Sequence, residues 1–267
     1  MKSAACKRGK LIGIIGPLML CAMVDGCAGI AQRDDRDPDD PLEPLNRAVL
    51  ATNTALDEAL IRPVAESYRK IVPEFVRDRL RSVIDNLAEP RIFVNEVLQG
   101  RSDAAGITIA RFLVNTVGGM AGMFDIATGQ GLPKQSGDFG QTLHAWGVAD
   151  GPYLVLLLFG PSNVRDALGF GVDAVTTPPG VFASGHSGTV ITLTVGAVDG
   201  TDLRARNIES LDEIKAGALD YYAQLKSIWQ QRRRAQLREG SGLEDNPPEL
   251  LDPGAPVDPG AGAAPAR

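Results

Sequence analysis

Across residues 102–201 of this 267-residue chain only ten side chains are Asp, Glu, Lys or Arg, and Ala174–Val198 has none. Charged residues make up 22% of the whole chain, so they are concentrated on either side, in Leu42–Arg101 and Asp202–Glu239. Two folded arrangements suit such a middle: a well-covered core, or a body partly sunk in lipid, where a charge is expensive. A bilayer span is not one of them. Ala104–Phe124 is interrupted by Arg111, Asn115 and glycines, and Ala174–Val198 by Pro178-Pro179 and four later glycines. Neither is a clean apolar run of about 20 residues. Any lipid contact is therefore expected from short helices lying in or along one leaflet.

The flanks read as amphipathic helices. Leu45, Val49, Leu56, Leu60 and Val64 share one face of Asn46–Glu66, with Pro63 expected to bend or end the helix near Arg62. Pro73 opens a second helix, and Pro90 is read as starting a separate short segment closed by Gly100. Ser102 is the expected N-cap of a helix over Ala104–Val117, after which Gly118, Gly119 and Gly122 allow a sharp change of direction. Gly129–Gly140 is a loop by composition. Tyr153–Phe159 is a buried strand or half a buried helix; periodicity does not separate the two. Pro161-Ser162 is read as the start of a helix, and Thr201–Glu239 as one long closing helix. Val190–Val198 is β-branched, which keeps a strand open there, but the strong periodic signals are all helical. The expected fold is therefore mainly α, in a single compact domain over residues 41–239.

The two ends differ from this body. Lys2, Lys7, Arg8 and Lys10 precede the apolar run Leu11–Val24, which is too short to span a bilayer and fits a secretory signal over residues 1–26. Val24-Asp25-Gly26-Cys27 looks like a bacterial lipobox, with Asp25 where a small residue is usual; the alternative is an ordinary signal cut near Ala28 or Ala31. Cys6 and Cys21 would leave with the signal, so Cys27 is the one cysteine a mature chain keeps and the candidate lipidation site. More than one acyl chain on it would anchor the protein stably. Residues 27–40 are a charged tether and residues 240–267 a Pro/Gly-rich acidic tail, both expected to be disordered.

Catalytic signatures are sparse. His144 and His186 are the only histidines, which excludes a multi-histidine zinc site in one chain, and no cofactor motif stands out. Gly185-His186-Ser187-Gly188-Thr189 misses the nucleophile elbow at its last glycine and reads as a Gly-rich helix break. Gly169-Phe170-Gly171-Val172-Asp173-Ala174 matches a dinucleotide fingerprint in letters only, because helical residues precede it; close packing of small residues is the better explanation. The basic cluster Lys226, Arg232, Arg233, Arg234 and Arg238 is either a surface for anionic headgroups or a solvated helix face. A net charge of −6 argues against nucleic acid.

Several segments resemble one known family. Asp40-Pro41-Leu42-Glu43, Leu45-Asn46-Arg47, Leu56-Asp57 and Arg62-Pro63-Val64-Ala65 occur in the order and spacing of the MlaA/VacJ outer-membrane lipoproteins. So do Asn86-Leu87, Glu89-Pro90, Val94-Asn95, Leu98-Gln99-Gly100 and Arg111-Phe112 with Asn115-Thr116. The strongest block is Asp138-Phe139-Gly140-Gln141-Thr142-Leu143, Trp146-Gly147-Val148, Gly151-Pro152-Tyr153-Leu154-Val155-Leu156 and Gly160-Pro161-Ser162 with Arg165-Asp166. Trp146 stands where the family often has Tyr, and Leu157 where a proline is common.

The resemblance implies a helical ring around an amphipathic channel, held on the periplasmic face of the outer membrane. Such a protein removes phospholipids misplaced in the outer leaflet. It associates with porin trimers and passes lipid to a periplasmic carrier protein, without enzymatic activity. It also implies that the loop over about Gly131–Phe139, with Pro133, gates or shapes the channel. A phospholipid needs a few polar groups in an apolar wall, and Arg111, Asn115, Lys134 and Asp150 are the candidates for that path. For Arg111 and Asn115 the competing role is interhelical hydrogen bonding. A structural envelope lipoprotein that braces porins without moving lipid is the alternative function.

Overall fold

The computed structural model describes residues 40–176 and 186–241. The expected signal, Cys27, most of the tether, the tail after Ser241 and the Pro178-Pro179 break lie outside the described residues. The chain divides between Glu43 and Pro44. Before the division, Glu43 N donates to Asp40 O across a turn (3.1 Å). After it come the helices and one small sheet, so the mainly helical expectation holds.

Helix α1 (Glu43–Leu56) runs through one π-helical turn (Asp57–Ile61) into α2 (Arg62–Ile71). Pro63 therefore does not end the helix. It sits at the start of α2, where a missing N–H is tolerated, and the widened turn before it takes up the mismatch. Pro73 opens α3 (Glu74–Leu98), but Pro90 lies inside α3 and starts nothing. An interior proline disfavours a helix by about 3 kcal/mol, so the tertiary packing of both halves of α3 must outweigh it. At the following bend Gly100 has φ +75°, and α4 (Ser102–Val117) starts with Arg101, not Ser102, at its N-cap.

Beyond α4 a turn leads to the short helix α5 (Ile126–Gly129), an extended stretch over 132–138, and α6 (Phe139–Ala145), whose cap is the Asp138 carboxylate accepting from Gln141 N at 2.8 Å. The apolar run resolves as a strand, β1 (Tyr153–Leu156), antiparallel to β2 (Gly160–Asn163) with Tyr153 opposite Asn163. Pro161 is thus a strand residue and does not start a helix; in this two-stranded sheet its missing N–H costs no inner ladder bond. Helix α7 (Val164–Thr176) follows directly.

Val190–Val198 belongs to a helix, α8 (His186–Arg206), so the strand option there is overturned. β-propensity needs a neighbouring strand to act through, and the sheet among the described residues has only two strands, β1 and β2. The single closing helix is also corrected. Asn207 separates α8 from α9 (Ile208–Gly217), and an extended Ala218 separates α9 from α10 (Tyr221–Ser241). Asp220 restarts the helix by accepting from Ala223 N (3.2 Å).

The largest packed pair is the α3–α4 hairpin. Helix α7 lies on α6 at Gly169, where a Cβ would come within 2.4 Å of Gly140 N; this close approach explains the glycine that resembled a nucleotide fingerprint. Helix α2 packs on α8, and α10 on α6 and β2. The apolar core cluster is small: Leu50, Tyr153, Val155 and Tyr222, with Val49, Leu225 and Trp229 against it. Asn46 ties α1 to the strand, its Nδ2 donating to Tyr153 O (3.0 Å) and its Oδ1 accepting from Val155 N (2.8 Å).

Candidate functional site

Helices α3 and α4 meet along a polar seam. Thr108, Arg111 and Asn115 recur at three and four residues on one face of α4, and all are buried. Opposite them, α3 buries Asn86, Glu89 and Glu96. The rungs pair in antiparallel order: Asn86 Nδ2 donates to Thr116 Oγ1 (3.0 Å), Arg111 Nε to Glu89 Oε1 (3.0 Å), and Thr108 Oγ1 to Glu96 Oε2 (2.6 Å). Arg111 is 1% exposed. Burial pushes the Glu89 and Glu96 carboxyls up, with Arg111 opposing it at Glu89 and Thr108 at Glu96.

The same guanidinium fastens the segment after α4. Arg111 donates to Leu132 O (2.6 Å), Thr128 Oγ1 (3.1 Å) and Asp125 (3.2 Å). Asn115 donates to Asp125 (3.0 Å) and accepts from Ala127 N (2.9 Å). Burial acts to raise the Asp125 carboxyl, but hydrogen bonds from Thr128, Asn115 and Arg111 outweigh it and hold the group at about 2. Within this turn Met120 and Ala121 have φ near +55°, and Gly122, at φ +87°, lies where a Cβ would be 2.4 Å from Asn86. A side chain at 122 would be strained both by its backbone and by its neighbour. Gly118 at the end of α4 is in ordinary helical conformation, whereas Gly131 has φ +79°. A Cβ at Gly119 would meet the Phe124 carbonyl oxygen at 2.2 Å.

The extended stretch 132–138, carrying Pro133, follows α3 and is held by polar contacts. Lys134 pairs with Asp85, Arg101 donates to Ser136 O (3.3 Å), and Gln99 donates to Asp138 O (3.4 Å). Arg111, Asn115 and Lys134 therefore belong to one region, around α3 and the loop it holds. Asp150 does not. It pairs with the buried Arg165 in a second cluster, where Arg165 also donates to Asp166 (2.9 Å) and to His144 Nδ1 (3.2 Å). Arg233 of α10 reaches into this cluster and bridges Asp138 (2.7 Å) and Asp166 (2.8 Å). Burial works to raise Asp138, and Arg233 overrides it, holding the carboxyl below its usual range. The basic run on α10 is thus not a uniform lipid-facing or solvated surface, since Arg233 turns inward.

Glu96 escaped the sequence reading, and Glu89 and Arg165 entered it only within motifs of the resemblance, without a role. Glu89 and Glu96 lie in a charge-dense flank where acids look like surface residues. Their signal was the partner pattern on α4, a polar stripe at helical spacing in an apolar helix. Beyond the seam, a cleft of about 610 Å³ opens at the α3–α4 bend, lined by Gln99–Ala104, Gln141, His144, Leu237 and Glu239. Ser187 lies in the first turn of α8 and is exposed, with the elbow's Gly185 outside the described residues.

The outer faces invert the usual polarity. Leu113 and Val117, opposite the seam on α4, are 54% and 83% exposed. Met120, Met123 and Phe124 in the following turn are exposed too, with the Arg79 guanidinium 4.6 Å over the Phe124 ring, and Val94, Val97 and Leu98 are exposed on the last turns of α3. Leu168, Phe170 and Val175 on α7, and Val190, Ile191 and Leu193 on α8, are exposed as well. Among the described residues the largest fully buried side chains are Arg111, Arg165, Glu89 and Glu96. Soluble domains bury charge rarely and avoid large apolar patches. No described helix is long and apolar enough to cross a membrane.

Known proteins share this sequence and fold. The MlaA lipoprotein family profile matches residues 38–236. An uncharacterised protein of Rickettsia felis is 43% identical over 127 residues, 48% of this chain and 51% of that protein. The chain thus spans about half the length of the rickettsial relative it matches at this identity. The intermembrane phospholipid transport system lipoprotein MlaA of Escherichia coli is 33% identical over 214 residues, 78% of this chain and 81% of that protein. A solved structure described as the structural basis for maintenance of bacterial outer membrane lipid asymmetry superposes with a TM-score of 0.64 at 30% identity, covering 76% of this chain and 100% of that one.

Proposed function

This chain belongs to the MlaA lipoprotein family, and from that premise we propose that it is an intermembrane phospholipid transport protein that maintains outer-membrane lipid asymmetry. It sits in one leaflet with its apolar faces in acyl chains, takes misplaced phospholipid from the outer leaflet, and releases it toward the periplasm. The observation that carries this reading is the inverted polarity of the α3–α4 hairpin, with a charged seam inside and Leu113, Val117 and Met120 outside. In water that arrangement leaves apolar surface unburied. In lipid it puts the polar groups against one another and the apolar ones against solvent of their own kind. Helix α4 has 16 residues and is therefore about 24 Å long, short of the roughly 30 Å hydrocarbon core, which suits embedding without crossing.

Acylation of Cys27 is the proposed anchor on the periplasmic face. A porin trimer is the proposed neighbour in the membrane, and a soluble periplasmic carrier the proposed recipient. The fixed loop 131–138 is read as one wall of the lipid path, with Lys134 at its exposed edge; Arg111 and Asn115 hold that wall in place and do not themselves meet the lipid. The transfer breaks no covalent bond and needs no catalytic residue. Deleting the gene should raise phospholipid in the outer leaflet and sensitise cells to detergent, and restoring the gene should reverse both. An unchanged leaflet composition would contradict the proposal.

A further inference from the structure

Arg79 is a cation set in an apolar surface. On α3 it shares one stripe with Phe75, Val76 and Leu80, and it is the only charged side chain in that stripe. Phe75, Val76 and Leu80 are all exposed, as are Met120, Met123 and Phe124 in the turn after α4. Arg79 joins the two sets. Its guanidinium carbon lies 4.8 Å over the Phe75 ring and 4.6 Å over the Phe124 ring, and its Nη1 donates to Met123 O (3.1 Å).

No carboxylate answers this charge. Among the described residues Met123 O is the one acceptor that Arg79 has. Of the acids on its own turns, Glu74 does not pair with it, and Asp78 accepts from Arg81 instead (3.4 Å). The buried arginines of the fold differ: Arg111 pairs with Glu89, Arg165 with Asp166 and Arg233 with Asp138. The Nε of Arg79 is buried without a partner and out of a ligand's reach, whereas Nη2 has no acceptor and is not closed off. Ring faces orient a guanidinium without neutralising it, so its free edge still favours an oxyanion. On the outer face of a hairpin lying in acyl chains, such a cation is expensive unless it reaches the headgroup layer. Aromatic rings beside a cation are the usual dress of that layer.

We propose that Arg79, braced by Phe75 and Phe124, donates from Nη2 to a phosphodiester oxygen of a phospholipid in the surrounding leaflet. The start of α3 and the turn after α4 then lie at headgroup level, with Leu113 deeper among the acyl chains. This assignment rests on the lipid-facing reading of the hairpin and adds to it a depth and the lipid group that fixes it.

The test is flotation of the full chain, carrying Cys27→Ser so that no acyl group contributes, with vesicles of phosphatidylcholine and, separately, of digalactosyldiacylglycerol, which has no phosphate. Arg79→Gln should weaken partitioning into phosphatidylcholine about threefold to tenfold, the scale of one charge-assisted hydrogen bond at a partly exposed site. It should not weaken partitioning into the galactolipid. Arg79→Lys, which keeps the charge but not the flat fork, should fall between Arg79→Gln and the parent. Thermal unfolding in detergent screens each variant. Should Arg79→Gln fail to fold, Phe75→Leu replaces it, because Phe75 is 62% exposed and its loss leaves the bond to Met123 O in place; it should weaken phosphatidylcholine binding about twofold and spare the galactolipid. Inorganic phosphate, against chloride of equal ionic strength, should not displace the parent from phosphatidylcholine. No loss in the variants, equal loss with both lipids, or displacement by free phosphate would overturn the Arg79 assignment alone, provided that Leu113→Lys still weakens flotation. A parent chain that floats with neither lipid would overturn the lipid-facing reading as well.

Discussion

Two regions of this molecule are built on opposite plans. Where α1, β1 and α10 meet, Leu50, Tyr153, Val155 and Tyr222 are inside, and Arg47 and Lys226 cover the rings from outside, at 4.5 Å over Tyr222 and 5.6 Å over Tyr153. In the α3–α4 hairpin Glu89, Arg111, Glu96 and Thr108 are inside, while Leu113 and Val117 are outside. The first is how a chain folds in water, driven by apolar burial. The second buries little apolar surface beyond Ala105 and is held largely by hydrogen bonds and an ion pair. Under the proposed function, the difference separates a face suited to water from one suited to lipid.

The contrast can be broken from the polar side first. Arg111→Met leaves Glu89 buried without its cation and frees Leu132, Thr128 and Asp125, so it should cost about 3–5 kcal/mol. Thermal unfolding in detergent measures it, and adding Glu89→Met should recover much of the loss. On the water side Leu50→Ala should cost about 3 kcal/mol by the same measurement, through the cavity it leaves in the apolar cluster.

Much of this plan was legible before the coordinates. Amphipathic periodicity placed α1 and α3, an apolar run after Ser102 placed α4, and the charge-poor middle pointed either to a covered core or to a body partly in lipid. Arg111 and Asn115 stood out as polar residues in an apolar stretch. What stayed hidden depended on partners distant in sequence. Pro90 looks like a boundary because a proline's local cost is readable, whereas the seam that overrides it joins residues 22 positions apart. Arg233 looked like one more cation in a basic run because its partners, Asp138 and Asp166, lie 95 and 67 residues away. Val190–Val198 misled through propensity alone, which sheet neighbours must endorse.

A smaller effect sharpens the outer-face comparison. In a chain carrying Cys27→Ser, so that no acyl group contributes, Leu113→Lys should weaken flotation with vesicles by up to about 2.5 kcal/mol. Ile228→Lys, on α10 and 38% exposed, should leave it unchanged. The smallest concerns acid. Asp125 is lowered from 3.8 to about 2 in the folded protein, so the stability it lends is full above 3.8 and is lost as pH falls through 2. Hydrogen exchange at Thr128 N, which donates to Asp125, should accelerate across that window, and Asp125→Asn should flatten the response.

The most direct measurement is photo-cross-linking from benzoylphenylalanine placed at residue 113 and, separately, at residue 228, in protein within outer-membrane vesicles, with adducts read by mass. Phospholipid adducts at 113 and none at 228 are the predicted result. Adducts equal at the two positions, or absent at 113, would contradict a lipid-facing hairpin with its charges turned inward.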